Sequence, residues 1–264
     1  MLIRLMGLRT LRLAVLGTPR SGNTWLRRML ATAYRLDGPD RERAIQDAST
    51  IDWGSLPDRS ITQVHVAKTY QLAQQLSDAG VRVIVPIRHP LDVLISILQY
   101  ARGQLWYSTR WIQGVGGDES EIVGRTPCDP KFLEYAVGPR ARALLDVSRS
   151  WIDEPGTIFV RYENLVEGPL PILHEVARKL GARPLVSWQV ALRRNTMSEL
   201  RKIHGPGHVW QGRPGLWRSL LTASAVDTLV QGLSDHVDWH GDPPVGDPTL
   251  TIDEARARWN VLNP

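Results

Sequence analysis

The sequence contains a single cysteine, Cys128, among its 264 residues. One cysteine excludes an internal disulfide framework and a multi-cysteine zinc site, and it favours a reducing compartment, so we predict a cytoplasmic protein. No apolar run approaches the ~20 residues that a membrane-spanning helix needs. Arginines at positions 4, 9 and 12 interrupt the apolar start of the chain. We therefore expect that start to lead into the first strand rather than to act as a signal peptide.

The sequence also lacks a strong charge of either sign, because its formal net charge is only +5. Such a small basic excess fits nucleic acid, an anionic surface or a small polyanionic ligand equally well. We predict a small ligand, with no nucleic-acid partner and no integral membrane segment. Internal repeats, heptad runs and low-complexity tracts are missing as well. The composition, 42% hydrophobic and 22% charged, is typical of a globular protein with a sizeable core.

The stretch over residues 11–30 combines a strand, a loop and a helix. The apolar run Leu11–Leu16 predicts a buried strand, and apolar residues at helical spacing from position 25 predict a helix. The loop between them, residues 17–24, carries two glycines, three hydroxyl groups and Arg20. Unpaired N–H groups and the helix dipole make such a helix N-terminus an anion cradle. Its spacing is close to that of a Walker A loop, but Asn23 takes the lysine position.

Strands and helices alternate along the rest of the chain. We predict further strands over 60–66, 81–87 and 157–161, and helices over 69–79, 90–102, 130–151 and 169–180 among others. This alternation predicts an α/β fold, with one domain over residues 1–264, three α/β/α layers and a central parallel sheet. Residues 234–264 are expected to form a tail that packs on the surface. Ligands of such sheets bind at the carboxyl ends of the strands.

Polar side chains stand at these predicted strand ends. His65 ends the second strand, where it is either a general base or a hydrogen-bonded structural residue. Arg88 follows the third strand, and Ser96 lies about two turns into the next helix. Either the two side chains bind one phosphate together, or Arg88 is an ordinary charge exposed to solvent. Tyr162 follows the fourth strand and either packs on a flat ring or closes the core.

The long loop over residues 103–129 is rich in glycine and aromatic residues. A loop of this length in a compact domain is usually functional or mobile. Its aromatic side chains either form a floor for a ring or sugar of a substrate, or pack the loop onto the domain. They are Trp106, Tyr107 and Trp111.

Four segments of the chain, taken in sequence order, resemble motifs of the sulfotransferases that use 3′-phosphoadenosine 5′-phosphosulfate (PAPS) and release adenosine 3′,5′-bisphosphate (PAP). That family's phosphosulfate loop, T-x-P-K/R-S-G-T/N-T-W, is similar to residues 18–25, with one residue fewer between Thr and Pro. Its R-x-P-x-D-x-x-x-S signature is matched by Arg88, Pro90, Asp92 and Ser96, and its Y-E-D/N segment by residues 162–164. Its late loop, R-K-G-x-x-G-x-W, is half matched: Gly212, Gly215 and Trp217 align, whereas Trp210 and Gln211 take the Arg-Lys positions.

The resemblance implies a binding site for PAPS on a P-loop-like phosphosulfate-binding loop. The residues that would cradle the 5′-phosphosulfate are Arg20, Ser21, Gly22, Asn23 and Thr24. Those that would contact the adenine are Trp25, Tyr162 and Thr196. Those that would hold the 3′-phosphate are Arg88 and Ser96, with Gly212 and Arg213 of the late loop, and Arg218 is a second substitute for the missing pair.

The resemblance also implies a reaction, in which PAPS donates its sulfuryl group to a hydroxyl or amine of a small-molecule or glycan acceptor. His65 falls where the family's catalytic base lies, and Arg20 would stabilise the departing phosphate in a metal-free in-line displacement. Arginine does not readily donate a proton, so Arg20 is expected to act through its charge. Two alternatives stay open: a kinase-like phosphotransferase, which would be expected to carry lysine at position 23, and a catalytically inactive nucleotide-binding module.

Overall fold

The computed structural model describes residues 10–37, 51–103, 119–205, 207–237 and 244–263. The chain divides into two compact units, one of residues 1–87 and 147–205 and the other of residues 88–146 and 206–264. The prediction of one domain stays a prediction. The predicted lead-in at residues 1–9 lies outside the described residues, as does the aromatic floor of Trp106, Tyr107 and Trp111.

The first unit is built on a four-stranded parallel sheet. Its strands are β1 (Leu11–Leu16), β2 (Arg59–Val64), β3 (Val81–Ile87) and β4 (Ile158–Arg161), in the spatial order β2-β1-β3-β4. In register, Leu11 of β1 lies beside Arg59 of β2, and β3 pairs with β4. The parallel α/β sheet predicted from the sequence is confirmed. Because all strands run the same way, their carboxyl ends meet at one edge.

The helices occupy most of the remaining described chain. They are α1 (Asn23–Tyr34), α2 (Tyr70–Asp78), α3 (Pro90–Gly103), α4 (Pro130–Val137), α5 (Pro139–Arg149), α6 (Tyr162–Glu167), α7 (Pro169–Leu180), α8 (Trp188–Arg194), α9 (Met197–His204), α10 (Trp217–Leu220), α11 (Ala223–Gly232), α12 (Ser234–Val237) and α13 (Ile252–Leu262), with a 3₁₀ turn at Glu119–Ile122. The predicted break in residues 130–151 falls at Gly138, between α4 and α5. Pro139 can start α5 because the first helical position needs no N–H.

Each unit has its own hydrophobic core. In the first unit, Leu13 of β1 and Ile84 of β3 pack with Leu30 of α1 and Trp188 of α8. In the second, apolar residues of α3, α4, α5 and α11 cluster around Trp217. Truncating a large apolar residue in such a core costs roughly 2–5 kcal/mol, so these clusters hold the strand and helix ends in place.

Two details refine the sequence interpretation. Pro86 lies inside β3, but the pairing of β3 with β1 ends at Ile84, so Pro86 stands beyond that ladder. The segment predicted as a surface tail contains α13, whose Trp259 is 2% exposed and belongs to the second core. Thr251 and Glu254 form a capping box at the start of α13, which is the local signal for this helix. Within the described ranges, no helix is both long and apolar enough to cross a membrane.

Candidate functional site

The phosphate loop, residues 17–24, delivers β1 onto the N-terminus of α1. Gly22 is the N-cap residue with φ of 87°, and no side chain caps the helix. Arg20 also has a positive φ, 69°, which costs a non-glycine residue about 1–2 kcal/mol. Left-handed residues turn successive N–H groups toward one point, and the helix dipole adds positive charge there. This backbone therefore suits an anion.

Two side chains hold the loop in this shape. Asn23 Nδ2 donates to the carbonyl of Thr18 at 2.8 Å, so the residue at the Walker lysine position ties the loop to itself. Ser148, in the last turn of α5, makes two hydrogen bonds to the loop and one to β3. Its Oγ accepts from Thr18 N at 2.8 Å and donates to the Pro86 carbonyl at 2.9 Å, and its N–H donates to Thr18 Oγ1 at 3.1 Å. No local pattern in the sequence marks Ser148, because its partners lie far away along the chain.

The two glycines of the loop leave no room for larger residues. A Cβ on Gly17 would lie 2.5 Å from Asn23 Oδ1, and one on Gly22 would lie 2.6 Å from Tyr162 Cδ2. Ser21 is only 1% exposed, yet its Oγ has no hydrogen-bond partner among the described residues. A buried hydroxyl without a partner is costly unless a ligand satisfies it. These residues fit a bound phosphate or phosphosulfate group.

His65 lies directly after β2, against the phosphate loop. Its Nδ1 is 2.6 Å from the carbonyl of Gly17. A carbonyl only accepts, so Nδ1 carries the proton and Nε2 keeps its lone pair. Burial lowers the pKa of His65 to about 4, the Gly17 hydrogen bond opposes this shift, and the positive charge of Arg20 adds to it. The ring is therefore neutral at physiological pH, with Nε2 unprotonated.

The three residues expected at the adenine have different surroundings. Trp25 meets Tyr162 edge to face, with ring centroids 6.2 Å apart. Tyr162 is 4% exposed, and its ring fills the space that a Cβ on Gly22 would need. This close packing favours the alternative in which Tyr162 closes the core. Thr196 is the N-cap of α9, where its Oγ1 accepts from the N–H of Glu199 at 3.2 Å. Adenine contact stays a prediction for all three.

The second unit holds the residues expected at the 3′-phosphate. Arg88 and Ser96 are buried, and Arg88 Nη2 lies 3.5 Å from the carbonyl of Arg213. Asp92, on α3, accepts from the N–H groups of Gly215 at 2.5 Å and Trp217 at 3.2 Å. Asp92 thereby fastens the late glycine loop to the start of α3.

The residues at and near the missing Arg-Lys pair are engaged in packing. Trp210 meets Trp259 edge to face at 5.7 Å, and its Nε1 donates to the Leu262 carbonyl. The guanidinium of Arg218 lies over the ring of Trp217 at 4.3 Å. Arg213 is exposed. Arg218 is exposed as well, so the two arginines considered as substitutes differ in that Arg218 stacks on Trp217. Gly212, with φ of 68°, gives the loop its turn.

Three or more His, Cys, Asp or Glu side chains do not cluster as a metal site anywhere in the portion of the chain that the structure describes. The expectation that the reaction needs no metal stays a prediction.

Comparison with known proteins defines the fold class. No family model matches the chain, and no curated protein matches it significantly. Among solved structures, mouse sulfotransferase SULT7A1 complexed with PAP aligns with 96% of this chain and 88% of that chain, with a TM-score of 0.61 and 16% identity. Retinol dehydratase in a complex with retinol and PAP aligns with 91% of this chain and 85% of that chain, with a TM-score of 0.54 and 12% identity. The chain thus has the sulfotransferase fold, which confirms the fold that the motifs predicted.

Proposed function

We propose that this protein transfers a sulfuryl group from PAPS to a hydroxyl or amine of a small-molecule or glycan acceptor. The observation that carries the proposal is the pairing of two features in the first unit. One is a phosphate loop with a buried, unpartnered Ser21 hydroxyl. The other is a neutral imidazole, His65, bonded to the carbonyl of the same loop at Gly17. We also propose a cytoplasmic location, on the ground of the single cysteine.

The proposed reaction runs in one displacement. His65 Nε2 takes the proton from the acceptor hydroxyl as the acceptor oxygen bonds to sulfur. The bond between sulfur and the 5′-phosphate oxygen breaks at the same time, and its electron pair leaves with PAP. Arg20 and the first N–H groups of α1 stabilise the negative charge that builds on that oxygen. Such catalysis rests mainly on positioning and on fixed positive charge.

The base is tested by replacing His65 with glutamine, which retains a polar side chain but cannot take up the proton. We expect kcat to fall by ~10²–10⁴-fold while PAP binding is retained, as is usual for loss of a general base. His174, an exposed residue of α7, provides the control H174Q. Radiolabelled PAPS and a panel of acceptors give the rate, and a fully active H65Q would contradict the assignment. Retinol and androsterone are the first acceptors to screen, because retinol dehydratase structures contain them.

The 3′-phosphate assignment has a separate test. Arg88→Ala should weaken PAP binding by about 10- to 100-fold, as expected when a charge-assisted hydrogen bond is lost. Binding of adenosine 5′-monophosphate, which has no 3′-phosphate, should be little changed. Equal losses for both nucleotides in calorimetry would contradict this role.

Two competing functions are separated by ligand and turnover. A kinase-like protein would be stabilised by ATP with Mg²⁺ more than by PAP in a thermal-shift assay, and the sulfotransferase proposal expects the reverse. An inactive nucleotide-binding module would bind PAP and consume no PAPS with any acceptor. Asn23, which braces the loop where ATP-binding loops carry lysine, favours the sulfotransferase.

A further inference from the structure

A basic cavity in the first unit is lined by residues outside the phosphate loop. Its volume is about 630 Å³, which is in the size range of small-molecule sites. We call it the arginine pocket. Its lining residues are Arg28, Ala31, Thr32, Arg35, Leu185, Val186, Arg194 and Asn195. Three of these carry a guanidinium group, and of the described residues that line the pocket none is acidic.

A buried amide organises one side of the arginine pocket. Asn195 is 2% exposed, and its Nδ2 donates to Thr32 Oγ1 at 3.0 Å and to the Ala191 carbonyl at 2.8 Å. These bonds turn Asn195 Oδ1 toward Arg28, whose Nε donates to it at 3.3 Å. The guanidinium of Arg28 is thus held in a fixed orientation, with less side-chain entropy to lose when it binds a ligand.

Helix ends alone do not account for these charges. Arg35 follows the end of α1 and Arg194 is the last residue of α8, so the helix dipole favours a cation at both positions. Arg28, however, is the sixth residue of α1, well before its end. Three like charges around one cavity repel each other, and a bound anion would relieve that repulsion.

We propose that the arginine pocket binds an organic anion that carries a phosphate or sulfate group. Guanidinium groups match phosphate and sulfate oxygens because they present forked N–H donors. The Thr32 hydroxyl adds a polar contact, and Ala31, Leu185 and Val186 offer an apolar wall for the rest of the molecule. The phosphate loop shares no residue with this pocket, so binding here does not depend on sulfuryl transfer.

The probe is 2-naphthyl phosphate, with 2-naphthol as the uncharged control, titrated by calorimetry. Arg194→Glu should weaken binding by about 10-fold or more, and Arg35→Glu should act in the same direction. Arg193→Glu is the matched control, because Arg193 is the neighbouring exposed residue of α8, carries the same charge and does not line the pocket. Added salt should weaken the binding further.

Four results would overturn the proposal. The first is that the wild-type protein does not bind the probe. The second is equal weakening by R194E and R193E, which would mean general attraction to a basic surface. The third is unchanged binding in both variants, which would place the probe outside the arginine pocket. The fourth is equal binding of 2-naphthol, which would mean an apolar site. Loss in R194E and R35E with retention in R193E supports the arginine pocket, and circular dichroism confirms that each variant is folded.

Discussion

Replacing Gly22 with alanine tests whether the phosphate loop rests on the ring of Tyr162. The first cost comes from the backbone, because an alanine at a φ of 87° loses about 1–2 kcal/mol relative to glycine. The second comes from the new Cβ, which would lie 2.6 Å from Tyr162 Cδ2 in a buried environment. Ordinary carbon contacts need about 3.5–4 Å, so the ring or the loop must shift by about 1 Å. Overpacking of this kind costs about 1–3 kcal/mol.

Gly156 allows the two costs to be separated. Its φ is 79°, and a Cβ added there meets nothing within 4 Å. Gly156→Ala should therefore show the backbone cost alone, and Gly22→Ala should exceed it by about 1–3 kcal/mol. Urea unfolding gives both values, and for a chain of this size each 1 kcal/mol lowers the melting temperature by ~2–4 °C. PAP binding should weaken only in G22A, because only that substitution displaces the anion cradle.

A double-mutant cycle with Tyr162→Ala completes the test. Removing the ring should abolish the extra cost, so G22A in the Y162A background should be no more destabilising than G156A. If G22A and G156A instead destabilise the wild-type protein equally, the packing of Tyr162 beneath Gly22 is wrong. If G22A and G156A destabilise the protein equally but only G22A weakens PAP binding, the predicted clash with Tyr162 is wrong and the role of the loop in PAP binding is supported.

Three further predictions concern buried polar groups. Ser148→Ala should lower the free energy of unfolding by about 2–4 kcal/mol, because a loop N–H and a strand carbonyl lose their hydrogen-bond partner. Ser150→Ala, which also removes two hydrogen bonds, should destabilise the protein as well but leave PAP affinity unchanged in calorimetry. Glu119→Gln should lower the free energy of unfolding by about 3–5 kcal/mol, because it removes the buried negative charge paired with Arg140. The exposed Glu121→Gln should change it little in urea unfolding, and equal losses would refute this prediction. Below pH 6.5 His65 becomes protonated in the unfolded chain, whereas in the folded protein it stays neutral until about pH 4. The free energy of unfolding should therefore fall by up to about 3 kcal/mol between these two pH values. H65Q should lack this contribution.

Local sequence patterns predicted much of the fold. Four strands and most long helices follow from apolar runs and helical spacing, and β3 has the predicted bounds, Val81–Ile87. Gly181 ends α7 with a φ of 65°, as a glycine after a helix commonly does. Helix α13 escaped prediction because its surroundings are rich in proline and aspartate, although the capping box beginning at Thr251 marks its start.

The candidate site was only partly predictable. The loop and His65 could be found because strand ends of a parallel sheet meet at one edge. The role of Ser148 could not, since a hydrogen bond between residues distant in sequence leaves no periodic pattern. Tyr162 illustrates the same limit: its position after β4 fits a ligand contact or a packing role equally well, and only the close approach to Gly22 distinguishes them.

The bonds between Thr18 and Ser148 join residues 130 positions apart. Closing so long a stretch of chain is slow and unfavourable until many other contacts have formed. The anion cradle is therefore finished only after the chain has been synthesised beyond Ser148. A nascent chain that ends before the second half of α5 would carry the complete loop sequence and still lack the clamp that gives the loop its binding shape.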